Sequence, residues 1–131
     1  MAISAAEVLL HPDSKMMKEL VQKNDFKFNS GPGLDVVLSL VTRREPIEIL
    51  FYKSLNPWSA AVGNFGGEAI HFNSRKFSSL SFHEVVGCLL HEYSHYCGFN
   101  HGTGRLANYK TPEKCQYSVP YFLSENVKRW I

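Results

Sequence analysis

His91, Glu92, His95, Gly98 and His101 stand in the order H-E-x-x-H-x-x-G-x-x-H. On a helix, His91 and His95 lie one turn apart and face the same way, so both imidazoles can reach one ion. Glu92 sits beside them and is placed to act as a general base without taking a ligand position. Gly98 can adopt the left-handed conformation that ends a helix and bends the chain back. That bend brings His101 in as a third ligand from outside the helix. Three protein ligands leave the fourth tetrahedral position open to water, which marks a catalytic zinc site rather than a structural one. Zinc lowers the pKa of such a water toward about 7, where a neighbouring carboxylate can take its proton. The pattern therefore predicts a zinc hydrolase with metal ligands His91, His95 and His101 and general base Glu92. It fixes five residue types, which separates it from a bare H-E-x-x-H. The bland alternative is a surface helix whose histidines follow a charged face.

The motif resembles that of the metzincin clan of zinc endopeptidases, including its very small prokaryotic and phage-type members. The resemblance is anchored in residues 91–101 and extends more loosely over about residues 35–125 through the order of elements. It implies an α+β, zincin/metzincin-like fold: a small mixed β-sheet, the active-site helix packed beneath it, and an N-terminal helix. It implies Zn2+ as cofactor and peptide-bond hydrolysis as the activity. It also implies a protein or peptide substrate bound in extended form, as an added strand along a sheet edge. Metzincins carry a methionine turn under the zinc after the third His, yet this chain has no Met after residue 17. Val119 stands where that Met is expected, and Tyr121 follows two residues later. In some metzincins the corresponding Tyr approaches the zinc and helps bind the transition state. The resemblance carries that role to Tyr121, with an ordinary core tyrosine as the alternative.

Two other readings compete. A bacterial family of endoribonucleases that matures ribosomal RNA is similar in its three-His spacing and its Gly, but the residue after its first His is typically not Glu. Here Glu92 supplies a hydrolytic base, and a net charge of only +2 disfavours RNA. The third reading is a non-catalytic, zinc-stabilised interaction domain, against which Glu92 and the open ligand position both argue.

At 131 residues the chain is expected to form one domain, residues 1–131, with a real core and little room for additions. With 44% hydrophobic and 20% charged residues it reads as an ordinary globular monomer, without the basic stripe of a nucleic-acid binder. No apolar run reaches membrane-span length. The first residues lack the layout of a secretory signal, which leaves the compartment open between the cytoplasm and delivery by a non-classical or phage route. Cys88, Cys97 and Cys115 are an odd number and read as unbridged thiols, Cys88 in the core and Cys97 as packing. His11, His71 and His83 lack ligand spacing and read as surface or hydrogen-bonded residues.

The elements that must position the motif follow from patterning. Ser4-Ala5-Ala6-Glu7 is a capping box that predicts a helix start, with apolar faces through about residue 23 and a division at Pro12. Met16 and Met17 read as core. Residues 29–33 are a loop, 35–41 a strand, 42–46 a turn, and 47–52 a second, central strand. Residues 58–62 are a short strand, 63–67 a tight glycine turn, and 68–73 another strand. The edge that would capture substrate is expected within 58–62 or 68–73. Ser81-Phe82-His83-Glu84 is a second capping box that opens the motif helix, which ends at Gly98. After His101 the chain reads as loop-rich until a last helical segment, about 124–130.

Overall fold

The computed structural model describes residues 1–28, 30–42, 47–53, 63–66, 69–102 and 109–131. In chain order these residues form α1 (Ala2–Leu9), α2 (Lys15–Gln22), α3 (Gly33–Thr42), β1 (Glu48–Tyr52), β2 (Gly63–Gly66), β3 (Ala69–Asn73) and α4 (Ser74–Phe77). The motif helix α5 (Phe82–Tyr96) follows, then α6 (Pro112–Tyr117), α7 (Val119–Glu125) and α8 (Val127–Trp130). The protein is mixed α+β, as expected. Among the described residues no helix is long and apolar enough to cross a membrane.

The sheet is three-stranded, in the order β1-β3-β2. β1 runs parallel to β3, with Glu48 opposite Ala69 and Tyr52 opposite Asn73. β2 runs antiparallel to β3, with Gly63 opposite Phe72 and Gly66 opposite Ala69. The expected strands at 47–52 and 68–73 are present, but β3, not β1, is central. Its neighbours on both sides leave it buried at Ala69, Ile70, Phe72 and Asn73, whereas Leu50 and Phe51 of β1 are exposed. The glycine segment at 63–66 is a strand instead of a turn, because its backbone completes the ladder on β3. The strand expected at 58–62 lies outside the described residues.

Residues 35–41 are helical, not extended. β-branched Val36, Val37 and Val41 favour a strand locally. The burial pattern follows the helix period instead: Gly33, Val36, Val37 and Leu40 face inward while Leu34 and Leu38 are exposed. Tertiary packing against α2 decides the outcome. The N-terminal helix starts at Ala2 with Met1 at its cap, so Ser4 is inside it and caps nothing. The division at Pro12 holds: α1 ends at Leu9, and the Ser14 hydroxyl accepts the Met17 N–H to open α2. Three short helices, α6 to α8, occupy residues 112–130, where the sequence predicts a loop and a single last helix; residues 103–108 of that loop lie outside the described residues. Thr111 caps α6 and Pro112 occupies its first turn.

The core gathers around α5. That helix packs most extensively against α7 and also meets α1, α8, β2 and β3. Its Ser81 hydroxyl accepts the Glu84 N–H, as the capping box predicts. Val86 and Leu90 are fully buried, and the Tyr93 hydroxyl donates to the Leu40 carbonyl of α3 at 2.7 Å. Gly87 lets α5 approach α7 closely, since a Cβ there would lie 2.8 Å from the Ser124 carbonyl oxygen. Gly87→Ala gains about 1 kcal/mol of helix propensity but forces two backbones apart at a cost of about 1–3 kcal/mol. A lower denaturation midpoint is expected; a higher one would show that α7 yields freely.

Candidate metal centre

Each motif residue is positioned by a local feature. His91 and His95 lie one turn apart on α5, with ring centroids 5.0 Å apart. The helix ends in a Schellman turn: Gly98 N–H reaches the His95 carbonyl and Phe99 N–H the Ser94 carbonyl, both at 3.0 Å. Gly98 has φ +100°, which only glycine adopts readily. The turn brings the Phe99 carbonyl within 2.7 Å of His95 Nδ1. The chain then doubles back and delivers His101.

The three imidazoles converge. His101 Nε2 lies 2.8 Å from His91 Nε2 and 2.9 Å from His95 Nε2. Two ligands on a tetrahedral zinc stand about 3.3 Å apart, so a small expansion of the cluster accommodates the ion. Among the described residues this is the one cluster of three or more His, Cys, Asp or Glu side chains able to hold a metal. His11, His71 and His83 stand outside it.

The donor chemistry also fits a cation. His95 Nδ1 gives its proton to the Phe99 carbonyl, and His91 makes a backbone hydrogen bond to Pro120. Both rings therefore turn an unprotonated Nε2 lone pair inward, and a neutral His101 carries at most one proton to share between them. Two lone pairs facing one point call for a cation, and backbone carbonyls behind the rings are what orient metal-bound histidines. Burial, with His95 and His101 close by, pushes the His91 pKa down to about 3. Burial also lowers that of His95. Both rings are thus neutral at neutral pH, the form that binds metal.

Glu92 is buried, and burial alone raises its pKa to about 7. A dication beside it offsets that cost and favours the carboxylate. With its pKa raised to about 7, Glu92 is partly protonated near neutral pH and is expected to release a proton when metal binds. Affinity then rises with pH through the titration of Glu92. Calorimetry in buffers of different ionisation enthalpy measures this release, and Glu92→Gln reduces it by the share that Glu92 contributes. An unchanged release in that variant would assign the proton to another group.

Tyr121 joins the cluster from α7. Its ring stacks on His101 at 4.5 Å between centroids and meets His91 edge-on at 4.9 Å. Burial raises its pKa first, so the phenol stays protonated and able to donate. Val119 is fully buried at the start of α7, and the adjacent Pro120 holds His91. Pro120 and Tyr121 thus lie against His91, and Tyr121 against His101 as well. No family model, curated protein or solved structure matches the chain. Cys88, Cys97 and Cys115 form no disulfide. Burial pushes the partly buried Cys88 thiol up to about 11, which leaves it an unreactive residue packed against the core.

The sequence reading missed Pro120 as a partner of His91 and Phe99 as a partner of His95. Only the Phe99 contact had a local signal, the glycine turn three residues after His95.

Proposed function

We propose that this chain is a zinc-dependent endopeptidase of zincin/metzincin type. The observation that carries the reading is the juxtaposition of three convergent imidazoles with a buried carboxylate one residue from the first of them. His91, His95 and His101 would hold the ion. Zinc, when bound, supplies Lewis acidity, which polarises a carbonyl and makes a water molecule acidic. The work of this chain's own residues follows from their placement. Glu92 takes the proton from the attacking water and returns it to the leaving amine. The Tyr121 hydroxyl is a hydrogen-bond donor for the oxygen that gains charge as the carbonyl is attacked.

Substrate placement follows from the sheet. β3 has neighbours on both sides, so it offers no edge. β2 packs against α5 and is antiparallel to β3. Of the two edge strands it is the one that packs substantially against the motif helix, which supports it as the strand to pair an extended peptide. The experiment is digestion of an unfolded protein by the zinc-loaded chain. Fragments that vanish with chelator and return with zinc support the reading. Intact protein beside zinc-dependent scission of structured RNA would replace it with the ribonuclease reading. Retention of zinc with neither activity would favour a binding domain.

A further inference from the structure

His101 is the one imidazole of the three that α5 does not carry, so something outside the helix must hold it. The turn around it is tight. Gly102 has φ +109°, and its N–H donates to the Asn100 side-chain oxygen at 2.9 Å. Against Gly102 lies the ring of Phe28, far away in sequence. A Cβ on Gly102 would stand 2.6 Å from Phe28 Cδ1 and 3.0 Å from Cε1, so the ring occupies the space a side chain would take.

Phe28 is itself unusual. Among the described residues it is the only non-glycine with positive φ, at +64°. A bulky side chain adopts that conformation only where its surroundings impose it, and such residues concentrate at functional sites. The imposing contacts are visible in the preceding residue. The Lys27 N–H donates to the Tyr117 carbonyl at 2.9 Å, and Lys27 Nζ pairs with Glu113 at 2.9 Å. The segment is thereby fixed to α6, just before the Val119–Tyr121 stretch, while its next side chain reaches the residue after His101.

We propose that Phe28 is a positioning residue for His101: its ring, held in a strained backbone, braces the Asn100–Gly102 turn so that the third imidazole faces the other two. The inference rests on the reading of His91, His95 and His101 as metal ligands. It assigns the segment before α3 a role in metal retention that the motif does not contain.

The test is zinc affinity, measured by competition with a chromophoric chelator, for Phe28→Gly, Phe28→Asn and Phe28→Leu, each with and without His101→Ala. Gly and Asn both accept positive φ, so they remove the ring without adding backbone strain. Affinity is expected to fall about tenfold, the lower end for loss of an outer-shell support. Phe28→Leu, which keeps apolar bulk, should recover part of it. In the His101→Ala background the same substitutions should have no further effect, because the brace then has nothing to orient. Affinity equal to wild type in Phe28→Gly and Phe28→Asn overturns the inference. So does an equal tenfold loss in the His101→Ala background, since that is what a general packing role produces. A wild-type chain that binds no zinc would instead defeat the metal-site reading, and this inference with it.

Discussion

Glu92→Gln should keep zinc at full stoichiometry and lose turnover by about 10²- to 10⁴-fold, the range for removal of a positioned acid–base group. The substitution conserves volume in a buried position, so α5 should stay packed. Glu92 is one residue from His91 but is not a member of the ligand cluster, so zinc content at saturating metal should not depend on it. Zinc analysis and initial rates on the same preparation separate the two effects. Wild-type turnover in Glu92→Gln would remove Glu92 from the mechanism, and loss of zinc would make it a ligand. The acid limb of the wild-type rate profile is a second readout. Burial alone raises Glu92 to about 7, and a dication draws that value down. Activity should therefore fall as pH drops below 7, with a limb more acidic in the zinc-loaded enzyme than the Glu92 titration of the stripped chain.

The site was legible in the sequence to the extent that it is local. His91 and His95 share a face because they are one turn apart. The Ser81 cap and the Gly98 turn bound their helix through contacts no more than five residues long. β1 and β3 were legible as β-rich runs, but their order was not. Which strand is central depends on long-range pairing, and local composition does not encode it. α3 shows the opposite failure. Its β-branched residues read as a strand, while the inward spacing of Gly33, Val36, Val37 and Leu40 already carried the helical period. The Thr111-Pro112 start of α6 was a recognisable cap signal that a loop reading overlooked. Phe28 had no signal at all. Its role appears only when a residue 74 positions from Gly102 is found against it.

His101→Ala is expected to weaken zinc binding by about 10²- to 10³-fold while leaving the fold intact. A four-ligand site yields about 10–16 kcal/mol, or roughly 3 kcal/mol per ligand, which sets that range. The fold should survive because His101 is only partly buried and lies past the end of α5, outside the apolar core. Its ring contacts are chiefly with His91, His95 and Tyr121, all members of the cluster. The variant keeps His91 and His95 on their carbonyl partners, Pro120 and Phe99, so a weak two-ligand site should remain. His91→Ala should cost more. It empties a position packed between α5 and α7 and leaves the Pro120 carbonyl without the bond its ring made. Equal zinc affinity in His101→Ala and wild type, with both folded by circular dichroism, would reduce the site to two histidines. The open fourth position, and the hydrolytic chemistry inferred from it, would then lose its basis.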